Sequence, residues 1–262
     1  MSVTATAKRD RIELIALYVV SIVAAFVIAA ILVNTSGGSW SKAVEAMING
    51  SFKNPGRWGE TLRRAAPLLI VAAGSAIAAK AGIINIGQEG QVLIGATGAA
   101  FIMTKIHPGS PLMLILGVLL GMLAGAAWAG IAALLYYWRR VPVVLSTLLL
   151  VYLSSQITGY TMTRRFLLLE VIEGSPTKIQ NSAKTAVNSR LGIMHIFGNN
   201  VPLTVPIAII FAVGVAYMLA HSVWGFRLKM LGLNPRTAQR AGVSHVRFGT
   251  MALLTSGAAA GL

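Results

Sequence analysis

Four stretches of the chain, residues 14–33, 111–138, 141–163 and 201–220, each run for 20 residues or more without a charged side chain. A soluble domain has no use for such runs, whereas about 20 apolar residues in a helix match the hydrocarbon thickness of a bilayer. Of the 262 residues 56% are hydrophobic, so about 147 apolar residues are present, enough for about seven spans. The expected fold class is an all-α polytopic membrane protein forming a single transmembrane domain over residues 1–262.

The charges lie between these runs. The net charge of +15 comes from 22 Lys and Arg against 7 Asp and Glu, and their placement reads as lipid and topology signals with no nucleic-acid partner. Asp10 is the only aspartate and there is no cysteine, which removes the material for a Ser/His/Asp triad, a two-aspartate metal site and thiolate chemistry. His107, His195, His221 and His245 lack metal-ligand spacing. No phosphate-cradling GxxxxGK[ST] loop occurs, so any ATP used is bound by another chain. The chain is expected not to be an enzyme and to hold no cofactor.

The first run follows Lys8, Arg9 and Arg11 and exceeds a signal-peptide core. It predicts an uncleaved span behind a cytoplasmic tail of residues 1–13. Residues 34–64 read as an extramembrane loop with Pro55 and Gly56 as breakers, within which residues 40–48 can form a short interfacial helix. With the N-terminus inside, Arg139, Arg140 and the loop 221–247 become cytoplasmic, as the positive-inside rule prefers. The two long loops, 34–64 and 164–200, then fall outside with ten Lys and Arg between them, which the rule does not favour. The second of these, with Gly174, Pro176 and Gly192, carries no expected regular element. The last run, 248–262, is 15 residues long and reads as an unfinished span.

Residues 65–104 are the unusual region, with only Lys80 and Glu89 charged. The two uncharged flanks of 15 residues each are short for independent spans, and Gly82, Gly87 and Gly90 sit among polar side chains between them. A broken or re-entrant helix pair is expected. Backbone groups freed by such a break must face protein or water, so Asn85, Gly87, Glu89, Gly90 and Gln91 are candidate substrate-pathway residues. A plain cytoplasmic turn with a solvated Glu89 is the competing reading. Gly117, Gly121 and Gly125 recur at four-residue spacing, placing them on one face where another helix can approach closely. In the basic loop, Asn234-Pro235 reads as an N-cap with Pro at the first helical position, and Gly242 as the matching stop. Phe101, Trp128, Tyr152 and Tyr160 can stack on a base, while Tyr136, Tyr137 and Trp138 read as an interfacial belt.

Ala81-Gly-Ile-Ile-Asn-Ile-Gly-Gln-Glu-Gly-Gln-Val-Leu-Ile-Gly95 resembles a signature of permease subunits of ABC importers in the branched-chain amino acid and simple sugar superfamily, nearest in pattern to its nucleoside and simple-sugar branch. Gly225-Phe-Arg-Leu-Lys-Met-Leu-Gly-Leu-Asn-Pro-Arg-Thr-Ala-Gln-Arg-Ala-Gly-Val243 resembles the coupling loop of the same family, and Ser256-Gly-Ala-Ala-Ala-Gly-Leu262 the start of the following helix. The segment after Arg140 reads Val-Pro-Val-Val, where relatives often carry Asn-Glu. The resemblance implies a nucleoside, purine or sugar importer permease in the inner membrane. Its implied partners are cytoplasmic ABC ATPase subunits, a second permease subunit, identical or not, and an extracytoplasmic solute-binding protein. It assigns ATPase coupling to Gly225, Arg227, Gly232, Asn234, Pro235, Ala238, Ala241 and Gly242, so that an acidic side chain at Gly232 or Ala238 is expected to abolish ATPase association. A branched-chain amino acid permease, an ion-coupled transporter using Glu89, and a non-transporting scaffold remain as alternatives.

Overall fold

The computed structural model describes residues 3–53, 56–106, 110–170, 184–187, 190–196 and 198–262. Pro55, His107, Gly174 and Pro176 lie outside the described residues. The chain divides into two compact units, Met1–Thr61 and Leu62–Leu262.

In the first unit, α1 (Val3–Thr35) carries the first apolar run, and none of its span is buried within the protein. Its side chains have lipid as their natural solvent. Helix α2 (Trp40–Ile48) forms where the interfacial helix is expected and is followed by a π-helical turn, Asn49–Lys53. The Asn34 side chain accepts a hydrogen bond from Trp40 N at 3.1 Å, and Phe26 meets the Trp40 ring edge-on at 6.1 Å, which fixes the entry to α2.

Residues 34–64 are therefore not a loop. Helix α3 (Arg57–Lys80) begins inside them and runs for 24 residues through Pro67. Charge does not mark the helix boundary here: Glu60 stands three and four residues before Arg63 and Arg64, a spacing that supports a helix. The uncharged flank is short because two charged turns complete it.

The second unit is built around its last helix. Helices α4 (Gln88–Lys105), α5 (Leu112–Arg139) and α6 (Val143–Thr161) are followed by an antiparallel hairpin, β1 (Ile193–Ile196) with β2 (Asn199–Pro202), in which Ile193 pairs with Pro202 and Ile196 with Asn199. The hairpin occupies part of the expected irregular loop; its turn uses Gly198 at φ 74°. Helix α7 (Thr204–His221) packs Val205 and Ala208 with Val201 of β2 and Ala66 of α3. Then come α8 (Val223–Leu233), α9 (Pro235–Arg240) and α10 (His245–Gly261). The basic loop is thus mostly helical. Ser222 caps α8 by accepting from Gly225 N at 2.9 Å, and Ser244 caps α10 by accepting from Arg247 N at 3.3 Å. Neither cap was read from the sequence, and α10 starts well before Ser256.

Among the described residues, five helical segments, Glu13–Thr35, Arg57–Lys80, Leu112–Arg139, Val143–Thr161 and Thr204–His221, are long and apolar enough to cross a membrane. Helix α10 lies inside the unit, burying Phe248, Ala252, Leu253, Ser256 and Gly257 among others. It reaches α5 and α4 through glycines. A methyl group added at Gly121 would lie 2.5 Å from Gly261 O, one at Gly257 would lie 2.5 Å from Gly125 O, and one at Gly95 would lie 2.6 Å from Gly261 Cα. Gly125 meets Gly257 O more closely still, whereas Gly117 faces the Met103 side chain of α4. Bare backbone on both sides permits this approach, and in lipid such van der Waals packing is a principal source of helix association.

Gly125→Val places a branched side chain against the carbonyl of Gly257, where no flexible atom can yield. A loss of about 3 kcal/mol is expected, measurable as a shift in equilibrium unfolding in mixed micelles. The control is Gly159→Ala, whose added methyl meets nothing within 4 Å and which is expected to leave stability nearly unchanged.

Candidate functional site

Helix α3 stops at Lys80 by a glycine-based cap. Gly82, at φ 75°, donates from its N–H to Ala79 O at 3.0 Å, and Ile83 N donates to Ala78 O at 3.1 Å. This is the Schellman arrangement, with Gly at the left-handed position and buried apolar residues on either side. Residues 83–86 then have no regular structure before α4 begins. The break therefore stands where the glycine pattern places it, between two helices longer than the uncharged flanks.

Each part of the break meets a different part of the second unit. The Gly82 side-chain position is 3.1 Å from Gly232 Cα, and the corresponding position at Gly232 runs into Lys80 O. Ile83 Cδ1 comes within 3.1 Å of the same position on Gly249. Asn85 reaches Ser256, seven residues and about 10 Å further along α10. Residues 82–85 thus climb beside α10, from the end of α8 to the middle of the helix.

The freed backbone and amides close on one another. Asn85 Oδ1 accepts from Gly87 N at 3.1 Å and from Gln91 Nε2 at 3.2 Å, while its Nδ2 donates to Gln91 Oε1 and to Ser256 Oγ, both at 3.1 Å. Gln88 donates to Ser256 Oγ at 3.2 Å and to Val71 O at 3.3 Å, and its Oε1 accepts from Ser75 Oγ at 2.5 Å. Gln91 and Ser256 are buried. One cluster of two amide side chains from α4, one from the break and two hydroxyls therefore ties α3, α4 and α10 together. It contains no ionisable group, so it can bind or latch but not transfer protons.

Of the residues singled out from the sequence, Asn85, Gly87 and Gln91 come together here. Gly90 instead packs on α6, where an added methyl would lie 2.8 Å from Ser154 Oγ. Gly87 also packs on α6, against Thr147. Glu89 is exposed in the first turn of α4 and lies outside the hydrogen-bonded cluster. Sequence reading missed Gln88, Ser75 and Ser256. Gln88 and Ser256 both lie within the family-like motifs; each is a polar side chain next to a glycine, and around Ser256 the positions three and four residues away are all apolar. Among the aromatics, Trp128 donates to Leu150 O at 3.3 Å and so fastens α5 to α6, while Tyr152 and Tyr160 are exposed.

The residues that the resemblance assigns to coupling divide by the face they present. Asn234 caps α9 by accepting from Arg236 N and Thr237 N, each at 3.1 Å, with Pro235 at the first helical position. Gly242, at φ 81°, ends it as Gly82 ends α3, with Val243 N donating to Ala238 O at 2.9 Å. Ala238 is fully buried, and Gly225 packs against the backbone of Leu219. Arg236, Thr237, Gln239, Arg240, Ala241 and Gly242 are exposed. An acidic side chain at Gly232 or Ala238 would therefore disturb packing before it met any partner. Among the described residues no group of His, Asp and Glu is placed to hold a metal ion.

Removing Asn85 leaves buried polar partners unsatisfied, at about 1–3 kcal/mol. In a double-mutant cycle, Asn85→Ala and Ser256→Ala are expected to couple by about 1 kcal/mol in unfolding free energy. Strict additivity would show that the two side chains do not share a network.

Comparison with known proteins points the same way. The chain is 28% identical to the guanosine ABC transporter permease protein NupP of Bacillus subtilis over 243 residues, covering 93% of this chain and 68% of the relative. It is 29% identical to the nucleoside ABC transporter permease protein NupB of Lactococcus lactis over 248 residues, covering 93% and 67%. It is 30% identical to a glucose ABC transporter permease protein of Haloferax volcanii over 212 residues, covering 78% and 54%. The matched chain thus spans about two thirds or less of the length of these relatives. No solved structure matches it. Residues 59–262 match the family described as branched-chain amino acid transport system / permease component, and with most of its length matched, including the break and the helices α8 to α10, the chain belongs to that permease family.

Proposed function

We propose that the chain forms the membrane pathway of an ATP-driven importer for a nucleoside or a related purine or sugar. The observation that carries this reading is the path of residues 81–87. One end lies against Gly232, next to the cap of α9, and the other is hydrogen-bonded to Ser256 in the middle of α10. A displacement of α8 and α9 is delivered through this backbone contact to the amide cluster. The cluster then parts or closes as a latch between α3, α4 and α10.

The names of the relatives supply the solute class, since guanosine, nucleosides and glucose all offer ring hydroxyls or ring nitrogens to amide and hydroxyl partners. Asn85, Gln88 and Gln91 have those groups, and Glu89 is the only charged side chain between Lys80 and Lys105. The exposed face of α9, with Arg236, Gln239 and Arg240, takes a cytoplasmic ATPase subunit. A second permease subunit and an extracytoplasmic solute-binding protein complete the assembly. With the N-terminal tail in the cytoplasm, alternation of the spans brings α8 and α9 there too, as the positive-inside rule prefers for their basic residues.

The test is uptake by proteoliposomes holding the complete complex. Guanosine is expected to enter only with ATP and to be competed by other nucleosides, not by leucine. Gly232→Ala, which crowds Lys80 O, is expected to cut uptake about tenfold while ATP hydrolysis continues. Uptake that survives ATP depletion and collapses with the proton gradient would assign the chain to ion-coupled transport. Competition by leucine alone would assign an amino acid as the solute.

A further inference from the structure

A cavity of about 460 Å³ opens where α8, the end of α9 and the start of α10 meet. Its polar wall carries Arg227 and Arg247, and its apolar wall carries Val223, Trp224, Phe248 and Met251. The Arg227 guanidinium lies 5.6 Å from the centre of the Phe248 ring, which holds it over the cavity. No acidic residue occurs in 221–247, and among the described residues neither arginine meets a carboxylate. Two guanidinium groups without a counter-charge, in a concave site beside exposed Val223 and Val246, call for an anion that also carries an apolar body.

A second cavity, of about 360 Å³ and almost wholly apolar, shares Trp224 with the first. Ile77, Met122, Phe211 and Val215 form its far wall. Along α10 the two cavities follow one face, through Ser244, Arg247 and Met251 in the first and Thr255, Ala258 and Ala259 in the second. From Ser244 to Ala259 the stripe rises about 22 Å, more than the ~15 Å of one hydrocarbon leaflet. It begins at charged groups and ends at apolar ones, as a phospholipid does.

We propose that this stripe is a binding site for an anionic diacyl phospholipid. The phosphate is held by Arg227 and Arg247, Trp224 sits at the glycerol level, and an acyl chain lies against Thr255, Ala258 and Ala259. Guanidinium pairs match phosphate oxygens in bidentate fashion, and basic pockets between membrane helices are a recurrent form of lipid recognition. The site does not depend on which solute is carried. A lipid seated there contacts α8 and α10 together, and so stiffens the joint through which α8 meets the break.

The test uses the assembled complex that contains the full chain, purified in detergent, titrated with dioleoylphosphatidylglycerol, dioleoylphosphatidylcholine or inorganic phosphate and read by native mass spectrometry. Phosphatidylglycerol is expected to be retained in preference to phosphatidylcholine. Arg227→Gln and Arg247→Gln are each expected to weaken it by about fivefold, and Ala258→Trp to weaken it by filling the apolar cavity. The paired Arg→Lys variants should retain the lipid better than the double Arg→Gln variant and less well than the unaltered chain, because an ammonium keeps the charge and loses the bidentate geometry, and Lys229→Gln, outside the cavity, should keep all of it. Three results overturn the proposal. They are unchanged lipid retention in the double Arg→Gln variant, displacement by inorganic phosphate as effective as by lipid, and retention of lipid with loss of a copurifying ATPase subunit, which would make the cavity a protein-docking site.

Discussion

Contact between bare backbones on α10 and α5 is the constraint on which the rest of the second unit depends. Gly121 and Gly125 of α5 meet Gly257 and Gly261 of α10, and Gly95 of α4 joins them. Water does not drive helices together in lipid, so close dispersion contact must do much of that work, and only residues without side chains allow it here. The seam sets the depth and rotation of α10. Because Gly257 faces α5, Ser256 on the adjoining face is turned towards Asn85 and Gln88. The polar cluster is a consequence of the glycine seam, and a rotated α10 would leave two amide side chains, those of Asn85 and Gln88, without their shared partner.

The same geometry gives the break its mechanical character. Gly82 and Gly232 approach through backbone atoms, so a shift at the end of α8 has no flexible side chain in which to dissipate. Two helices end in the same way here, α3 at Gly82 and α9 at Gly242, each with a buried apolar residue directly after the glycine. These caps hold the ends rigidly and leave residues 83–86 as the element between them. The amide cluster at its far end contains no charge, so parting it exposes hydrogen-bonding groups without the large penalty of stranding an ion in lipid.

Much of this was legible in the sequence, and what was not has physical reasons. Helix α9 could be read from Asn234-Pro235 and Gly242 because its caps are local chemistry. The break could be read from Gly82 and Gly87, since interruption of an apolar run by glycine and amides is costly unless it is used. The start of α3 could not be read from charge alone, because Arg57, Glu60, Arg63 and Arg64 belong to helix and loop patterns alike. Nor could α8, whose Ser222 cap is a single hydroxyl before a mixed basic and apolar segment. The meeting of Ser256 with Asn85 joins residues 171 positions apart, and nothing local announces it. Ala238 carries the same lesson in reverse: its place in a recognisable motif suggested a docking face, but it is buried beneath Val243 and the helices around it.

The most direct measurement uses the absence of cysteine in the chain. Spin labels can be attached through cysteines introduced at the exposed positions Ile84, Leu233 and Leu123, and pairwise distances read by pulsed electron resonance in the assembled transporter, with and without ATP. If the break is driven by α8, the Ile84 to Leu233 distance stays constant while both positions shift relative to Leu123 on α5. A shift of Leu233 alone, with Ile84 remaining fixed to Leu123, would contradict the transmission of motion through residues 81–87.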